Sequence, residues 1–254
     1  MEYYKEYNMN QYSTFSLIYD KLMDDSDYDL WVDNLIKIFK KYKFRPKTIF
    51  ELNCGTGSIT RRLYKKGYNI IGSDISTEML DIAQQKSFEN NLRIKYLKQD
   101  MSNLTYNKKV DCVISICDGL NYILKKEKLK QTFSNVYDIL NDEGLFIFDI
   151  STIYKFKNII NNKIFSENFE DFTYIWDNEY IEKNNILNFQ LTVFIKENGN
   201  FKRYIENHTQ KGYKINNLKN IFKPYFKVLD IVNTNTLEIS KKDDKRVLFV
   251  LRKK

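Results

Sequence analysis

The feature that most constrains this chain is an apolar segment that runs into a glycine-rich turn. Residues 49–57 read Ile-Phe-Glu-Leu-Asn-Cys-Gly-Thr-Gly, and Asp74 ends the next apolar run seventeen positions after Gly57. Glycines let the backbone approach a ligand where a Cβ would collide, and a carboxylate about 20 residues further on can accept hydrogen bonds from both ribose hydroxyls. The segment therefore predicts a strand–turn–helix unit that binds a nucleoside cofactor.

The spacing of the glycines favours one kind of cofactor. A dinucleotide-binding turn carries a third glycine three positions after the second, and Thr60 stands there instead. Glu51 would repel a pyrophosphate, whereas it could accept hydrogen bonds from an ammonium group. A nucleoside that carries a sulfonium amino acid fits better than NAD, which is the weaker alternative.

The segment resembles the first motif of the class I S-adenosylmethionine-dependent methyltransferases, roughly (D/E)-x-G-x-G-x-G. Glu51, Gly55 and Gly57 match this motif, and Asn53 stands where glycine is usual. The resemblance implies that these four residues contact S-adenosylmethionine and that the reaction is methyl transfer. It also implies a Rossmann-like α/β fold: a doubly wound, seven-stranded, mostly parallel sheet with an antiparallel β insertion after the fifth strand.

The next part of the chain continues the resemblance. Residues 72–80 match the family's Gly-x-Asp-x-Ser-x-x-Met-Leu run, and Ser76 is placed to cap the helix that follows the second strand. The resemblance implies that Asp74 binds the ribose and that Ile75 and Met79 pack near the ribose or adenine. Ile75 and Met79 are equally compatible with ordinary core positions.

A third strand at residues 93–97 precedes Asp100 and Met101, where the family places a carboxylate beside the adenine amino group and an apolar residue against its ring. Asp100 could instead cap its own turn. The fourth strand, residues 110–117, runs into a segment that passes beneath the reactive methyl group in the resembling enzymes. The resemblance therefore implies that Cys117, Asp118, Asn121 and Tyr122 line the reaction centre.

The opening segment, from Tyr12 to Asp20, resembles the Tyr-x-x-Phe-x-x-x-Tyr-Asp pattern of small bacterial methyltransferases related to amino-sugar and glycine N-methyltransferases. It implies that Tyr12 reaches the donor methyl and that Tyr19 contacts the cofactor. Tyr122 occupies the position of a histidine in the sugar enzymes. Near the end of the β-rich segment His208 matches the family, so Tyr12, Tyr122 and His208 are the candidate catalytic residues.

The periodicity of apolar residues predicts the organisation of the chain. Strands and helices alternate up to residue 150, and the next segment is rich in β-branched and aromatic residues with Asn- or Gly-bearing turns. We expect a cofactor-binding domain with an N-terminal helical cap at residues 1–150 and 214–254, and an antiparallel lid at residues 160–213. The predicted elements beyond those above are helices at 12–23, 28–42, 128–140 and 215–222, and strands at 144–150, 172–180, 186–196, 201–213, 226–233 and 246–252.

The net charge of +8 raises the possibility of nucleic-acid binding, but the basic residues are 34 lysines and seven arginines scattered along the chain. Nucleic-acid recognition favours clustered arginines. The only prolines, Pro46 and Pro224, lie outside the segment where base-modifying methyltransferases carry theirs. We therefore expect a small-molecule acceptor with an amine or another nitrogen or oxygen nucleophile. The alternatives are an RNA- or protein-modifying enzyme and a non-catalytic nucleoside-binding module.

Several other classes are disfavoured. No apolar run reaches 18 residues, and the start Met-Glu-Tyr-Tyr-Lys lacks a signal-peptide pattern. The three cysteines form neither a disulfide framework nor a CxxC pair, which indicates a reducing cytoplasm. A single histidine excludes a His-pair metal motif, so we expect no metal.

Overall fold

The computed structural model describes residues 15–23 and 27–254. Its strands are β1 (Thr48–Glu51), β2 (Asn69–Asp74), β3 (Lys95–Lys98), β4 (Val110–Ser115), β5 (Leu140–Ser151), β6 (Ile164–Asn168), β7 (Phe172–Ile181), β8 (Ile186–Glu197), β9 (Asn200–Lys211), β10 (Phe226–Asn233) and β11 (Arg246–Lys253). Its helices are α1 (Phe15–Leu22), α2 (Tyr28–Lys41), α3 (Ser58–Lys65), α4 (Thr77–Glu89), α5 (Lys126–Ile139) and α6 (Ile215–Phe222).

Seven strands form the main sheet in the order β10-β11-β5-β4-β1-β2-β3. Strands β1 to β5 pair in parallel, whereas β11 is antiparallel to both β5 and β10. The central strands are apolar on both faces, as expected of parallel strands covered by helices on two sides. This topology confirms the predicted Rossmann-like fold class.

Helices bury the two faces of the sheet in separate apolar clusters. On one face, Phe133 of α5 and Phe222 of α6 pack against Phe148 of β5, whose ring stacks on Phe249 of β11 with centroids 4.7 Å apart. On the other face, residues of α2 and α3 cover β1 and β4. The sheet is therefore held rigid from both sides, which fixes the strand ends that carry the candidate site.

Strands β6 to β9 form a second, antiparallel sheet. In its register, Trp176 lies opposite Leu191, and Asn178 lies opposite Phe189, which in turn lies opposite His208. Because side chains alternate along a strand, these residues share one face of the sheet. That face is the more buried one.

The predicted elements agree with the structure in type and differ at their ends. Strand β3 begins at Lys95 rather than at residue 93, and β5 begins at Leu140, directly after α5. Strand β6 was not predicted, because its five residues are all exposed and lack an apolar alternation. In the described residues, no helix is both long and apolar enough to cross a membrane.

Candidate cofactor and active site

A cavity of about 570 Å³ opens at the carboxyl ends of the parallel strands. The strand order reverses between β1 and β4, and such a switch point is where open α/β sheets bind their ligands. The volume lies within the range of roughly 300 to 1,000 Å³ typical of small-molecule sites. Ten of the cavity-lining residues fall in the segments predicted for the cofactor and one in the predicted catalytic set: Tyr19, Asn53, Gly55, Asp74, Ile75, Met79, Asp100, Met101, Cys117, Asp118 and Tyr122.

The glycine-rich turn has the backbone geometry that its sequence indicates. Gly55 and Gly57 have φ values of +52° and +77°, which residues with a Cβ rarely adopt. The Gly55 N–H donates to one oxygen of Asp74 at 2.9 Å, and the Ser76 N–H donates to the other at 3.0 Å. Asp74 thus ties the turn after β1 to the start of α4, and burial raises the pKa of its carboxyl.

Asn53, in the position where glycine is usual, adopts the left-handed conformation with φ of +47°. Asparagine tolerates this conformation better than most residues. Its amide donates to the Ile116 carbonyl at 2.9 Å and accepts a hydrogen bond from the Ser115 hydroxyl. The side chain therefore links the end of β1 to the end of β4 across the switch point.

Glu51 and Gly57 lie beside the cavity without lining it. Glu51 is buried and accepts a hydrogen bond from the Thr60 hydroxyl at 2.5 Å. Burial raises the pKa of Glu51 to about 8. Gly57 begins α3, where an added Cβ would collide with the Tyr96 hydroxyl. Both residues therefore support the glycine-rich turn from the side that faces away from the cavity.

The end of the cavity near β2 and β3 matches the predicted nucleoside end. Asp100 accepts hydrogen bonds from the backbone N–H and the hydroxyl of Ser102 at 2.8 Å through one carboxylate oxygen. It therefore caps its own turn and also lines the cavity. Met79 is buried, whereas Ile75 is 55% exposed although it borders the cavity. An exposed isoleucine is unexpected for a core position and fits a surface that a ligand covers.

The turn after β4 is strained at the cavity wall. Cys117 and Asp118 are consecutive residues with positive φ, +69° and +53°. Such conformations cost of order 1 to 3 kcal/mol each and concentrate at functional sites. Burial raises the pKa of the Cys117 thiol well above its ordinary value, so Cys117 stays a neutral thiol rather than a thiolate nucleophile.

A buried charged cluster that the sequence did not reveal holds this turn in place. Arg246 donates to Asp149 at 2.9 Å and to Asp118 at 3.1 Å. The Asp118 N–H donates to the second oxygen of Asp149 at 2.7 Å, and the Ser151 hydroxyl donates to Asp118 at 2.5 Å. Lys155 completes the cluster by donating to the Ser151 hydroxyl at 3.1 Å.

Within the cluster the pKa values of the two carboxylates shift in opposite directions. Burial by itself raises the pKa of Asp118, but Arg246, Lys155 and the Ser151 hydroxyl outweigh it and hold the pKa below its usual range. Burial raises the pKa of Asp149, and Arg246 only partly offsets this. One signal was present in the sequence: Asp149 interrupts the apolar run of residues 145–150, where an unpaired carboxylate is seldom tolerated.

The roof of the cavity comes from α1 and the antiparallel sheet. Tyr19 on α1 approaches Gly55, and its neighbour Asp20 accepts a hydrogen bond at 2.6 Å from the hydroxyl of Thr56 in the glycine-rich turn. From the sheet, Trp176 and Phe189 line the cavity on the side opposite the strand ends. Closing a site in this way excludes water from a reacting centre.

The three candidate catalytic residues have different positions. Tyr122 lines the cavity. His208 does not line it: the imidazole is buried, stacked on Phe189 with centroids 4.7 Å apart, and it meets the edge of the Tyr122 ring at 6.1 Å. His208 Nε2 also lies 3.3 Å from a carboxylate oxygen of Glu206. Tyr12 lies outside the described residues.

Comparisons with known proteins agree with this geometry. A family profile described as "Methyltransferase domain" matches residues 49–144. A protein of Geobacillus sp. (strain WCH70) named "Putative methyltransferase" is 36% identical over 245 residues, covering 95% of this chain and 99% of that protein. The crystal structure of a S-adenosylmethionine-dependent methyltransferase from Clostridium acetobutylicum ATCC 824 is 30% identical, with a TM-score of 0.85 and coverage of 95% of this chain and 98% of that one.

A more distant structure shares the fold alone. The sugar N-methyltransferase KedS8 from Streptoalloteichus sp ATCC 53650 is 11% identical, with a TM-score of 0.75 and coverage of 93% of this chain and 92% of that one. The fold, the cavity and the relatives together define a methyltransferase. The chain belongs to the class I S-adenosylmethionine-dependent methyltransferases, and its cofactor is S-adenosyl-L-methionine.

The residues present fit this cofactor. The cavity has room for a nucleoside amino acid, and the left-handed Gly55 beneath Tyr19 leaves backbone rather than a side chain at the closest approach. Carboxylates stand at the β2 and β3 ends, and the hydroxyl and amino groups of a nucleoside need acceptors of this kind. The predicted family, enzyme class and cofactor are thereby confirmed.

Proposed function

We propose that this enzyme transfers a methyl group to a nitrogen or oxygen atom of a small molecule. One observation carries the proposal: a single cavity extends from Asp74 and Asp100 at the nucleoside end to Tyr122 and the roof residues Trp176 and Phe189. The roof covers the region beyond the β4 end, where the acceptor would lie. A small acceptor fits beneath this cover, whereas a polymer would have to insert a single base or side chain.

In this proposal the donor-binding residues divide by the part of the cofactor that they face. Asp74 would accept hydrogen bonds from the ribose, and Asp100 from the adenine amino group, with Met79 and Met101 against the rings. Asn53, Gly55 and the turn at Cys117 and Asp118 would hold the amino acid part. Glu51 and Gly57 would act by positioning the turn, because they lie behind it.

Bound S-adenosylmethionine supplies an electrophilic methyl carbon. The chain's contribution is to align the acceptor opposite the sulfur and to exclude water; positioning alone can supply roughly 7 to 11 kcal/mol of a reaction barrier. The acceptor's lone pair would form the new bond to the methyl carbon while the carbon–sulfur electron pair returned to sulfur. The acceptor's proton would pass to solvent, or to the Tyr122 hydroxyl as that hydroxyl passes its own proton on. No protein nucleophile is required, because the acceptor's own lone pair would attack the methyl carbon.

An amine is the acceptor that the site residues favour. The ring of Tyr122 borders the cavity, and the Glu206–His208 pair lies directly behind it. In this proposal the Tyr122 hydroxyl and the His208 imidazole would relay a proton away from an ammonium product. Tyr12, which lies outside the described residues, would complete the catalytic set.

The chain would work as two functional units. Residues 1–150 and 214–254 would bind the donor, with the N-terminal helices as a cap, and residues 160–213 would close over the acceptor. The pairing of Tyr19 and Asp20 with the glycine-rich turn supports the capping role of α1. The three free cysteines agree with a reducing setting such as the cytoplasm.

The experiment has two stages. Calorimetry first measures the affinity for S-adenosylmethionine and S-adenosylhomocysteine. Radiolabelled methyl transfer is then screened over small amines, amino sugars, hydroxylated compounds and bulk RNA. Turnover of a small molecule supports the proposal. Transfer to RNA or protein alone would favour a macromolecule-modifying enzyme, and donor binding without any transfer would contradict the catalytic assignment.

A further inference from the structure

Lys155 belongs to a segment of unusual backbone geometry at the cavity wall. Residues Lys155–Ile160 form a π-helical turn after β5, and three of its side chains, those of Lys155, Phe156 and Ile160, line the cavity. Turns of π-helix are rare and occur frequently at functional sites. The position of Lys155 is therefore set by a local distortion of the chain.

In the part of the chain that the structure describes, four cations line the cavity: Lys125 and Lys128 are exposed, whereas Lys155 and Arg246 are partly buried. The two partly buried cations are bonded very differently. The guanidinium of Arg246 forms ion pairs with two carboxylates, those of Asp118 and Asp149. Among the described residues, Lys155 Nζ has one hydrogen-bond partner, the neutral hydroxyl of Ser151 at 3.1 Å. An ammonium group has three N–H donors, so two of them have no hydrogen-bond partner within the described part of the chain.

The charges around Lys155 make this arrangement costly without a ligand. Burial lowers the pKa of Lys155, and the nearby Arg246 lowers it further, while Asp118 and Asp149 act in the opposite direction. The carboxylates are already engaged by Arg246, Ser151 and a backbone N–H. A small anion at Lys155 would supply the missing acceptors inside the cavity.

We propose that the methyl acceptor carries a small anionic group, a carboxylate or a phosphate, and that Lys155 binds this group. This inference rests on the proposed function, since it names the substrate class of the same site. Lys155 follows β5, and the next residue, Phe156, packs in one cluster with Leu187 of the antiparallel sheet, whereas the proposed nucleoside end lies at β2 and β3. The anionic group would therefore fix the orientation of the acceptor rather than that of the adenosine.

Three variants test the role of Lys155. Lys155→Met removes the charge with little change in length, and Lys155→Arg keeps it. Lys157→Met is the matched control, because Lys157 belongs to the same turn but is exposed and pairs with Glu182 outside the cavity. Thermal unfolding of all three variants checks that the charged cluster survives.

The probes are matched pairs that differ in one anionic group: glycine and glycinamide, phenylalanine and phenylalaninamide, phosphoethanolamine and ethanolamine. Binding to the protein saturated with S-adenosylhomocysteine is measured by calorimetry, and methyl transfer by radiolabel. We expect at least one anionic member to be preferred by roughly 10- to 100-fold, the range expected of a hydrogen bond to a charged group. The carboxylate and phosphate pairs show which anion is preferred.

Lys155→Met should abolish that preference, Lys155→Arg should keep part of it, and Lys157→Met should leave it unchanged. The proposal is wrong if no anionic probe binds better than its neutral partner. It is also wrong if Lys155→Met weakens S-adenosylhomocysteine binding about tenfold and leaves the preference intact, because Lys155 would then hold the donor's own carboxylate. Failure of the proposed function is distinct: the donor would bind, and no small molecule would be methylated.

Discussion

Asn53 and Gly119 occupy adjoining space, since a Cβ added to Gly119 would overlap the side-chain amide of Asn53. The amide of Asn53 extends to the Ile116 carbonyl at the end of β4, and Gly119 begins the short helix that follows. The absence of a side chain at Gly119 thus leaves room for the side chain of Asn53. The two positions are expected to be energetically coupled.

Gly119→Ala should destabilise the protein by about 1 to 3 kcal/mol, because the methyl group has no room beside Asn53. Asn53→Gly should relieve this cost, so that the double variant loses less than the sum of the single changes. Urea unfolding of the wild type and three variants measures the coupling energy. Additive changes would show that the two side chains do not compete for space.

Asp74→Ala should weaken S-adenosylhomocysteine binding at least about tenfold, since a carboxylate that accepts from ribose hydroxyls contributes roughly 1.5 to 3 kcal/mol. The structure adds a second cause: Asp74 also fixes the Gly55 N–H. Calorimetry gives the affinity. Asp81→Ala, an exposed aspartate on α4, is the control and should bind normally. Unchanged affinity of the Asp74 variant would remove this residue from the site.

Glu51 should make the protein less stable as the pH rises. Burial raises its pKa from 4.5 to about 8 in the folded state, so the stabilisation from its protonated form is complete below about 4.5 and is lost as the pH rises towards 8. Glu51→Gln should remove this part of the pH dependence, up to about 4 kcal/mol. Urea unfolding between pH 4.5 and 8.5 measures it.

The exposed Glu179→Gln is the control for Glu51 and should follow the wild-type curve. If Glu51→Gln keeps the full pH dependence, another group is responsible. A gain in stability at pH 8 together with weaker donor binding would indicate that ionised Glu51 also assists the cofactor.

Tyr122→Phe should lower kcat for an amine acceptor by at least about tenfold if its hydroxyl relays the acceptor's proton, because acid–base catalysis contributes more than this. The affinity for the donor should change little, since the ring remains. Steady-state kinetics separate the two effects. Tyr64→Phe on α3, away from the cavity, is the matched control. An unchanged kcat would leave Tyr122 with a packing role.

Much of the fold was predictable because its signals are local. The apolar runs of β1, β4 and β5, the Ser76 cap of α4 and the glycine-rich turn each depend on residues within a few positions of one another. Element ends were less predictable, as at β3, since fraying and tertiary contacts shift them by one or two residues. Strand β6 carries no apolar alternation and forms only because β7 is available to pair with it.

The residues of the candidate site also fall into those with a local sequence signal and those that depend on tertiary contacts. The positions of Asp74 and Asp100 at the cavity were predictable from the sequence, because the strand–turn–helix unit fixes where each strand ends. For the roof, the sequence showed which residues are aromatic, but it did not show on which face of the sheet each side chain lies. The register places Tyr174 and Trp176 towards the cavity, whereas Phe194 lies in a groove on the opposite face of the sheet. His208 lies behind Tyr122, a relation that only strand pairing creates.

The sequence by itself determined the glycine turn and the acidic strand end that we propose bind the donor, because neighbouring residues dictate their backbone conformations. Only the tertiary structure decided the rest of the site. It joins Asp118 to Arg246, 128 positions away, and sets Lys155 beside them at the cavity. These charged residues are far apart in the chain, and they come into contact because the sheet order and the packed helices bring their strand ends together. No local sequence pattern predicts such a contact.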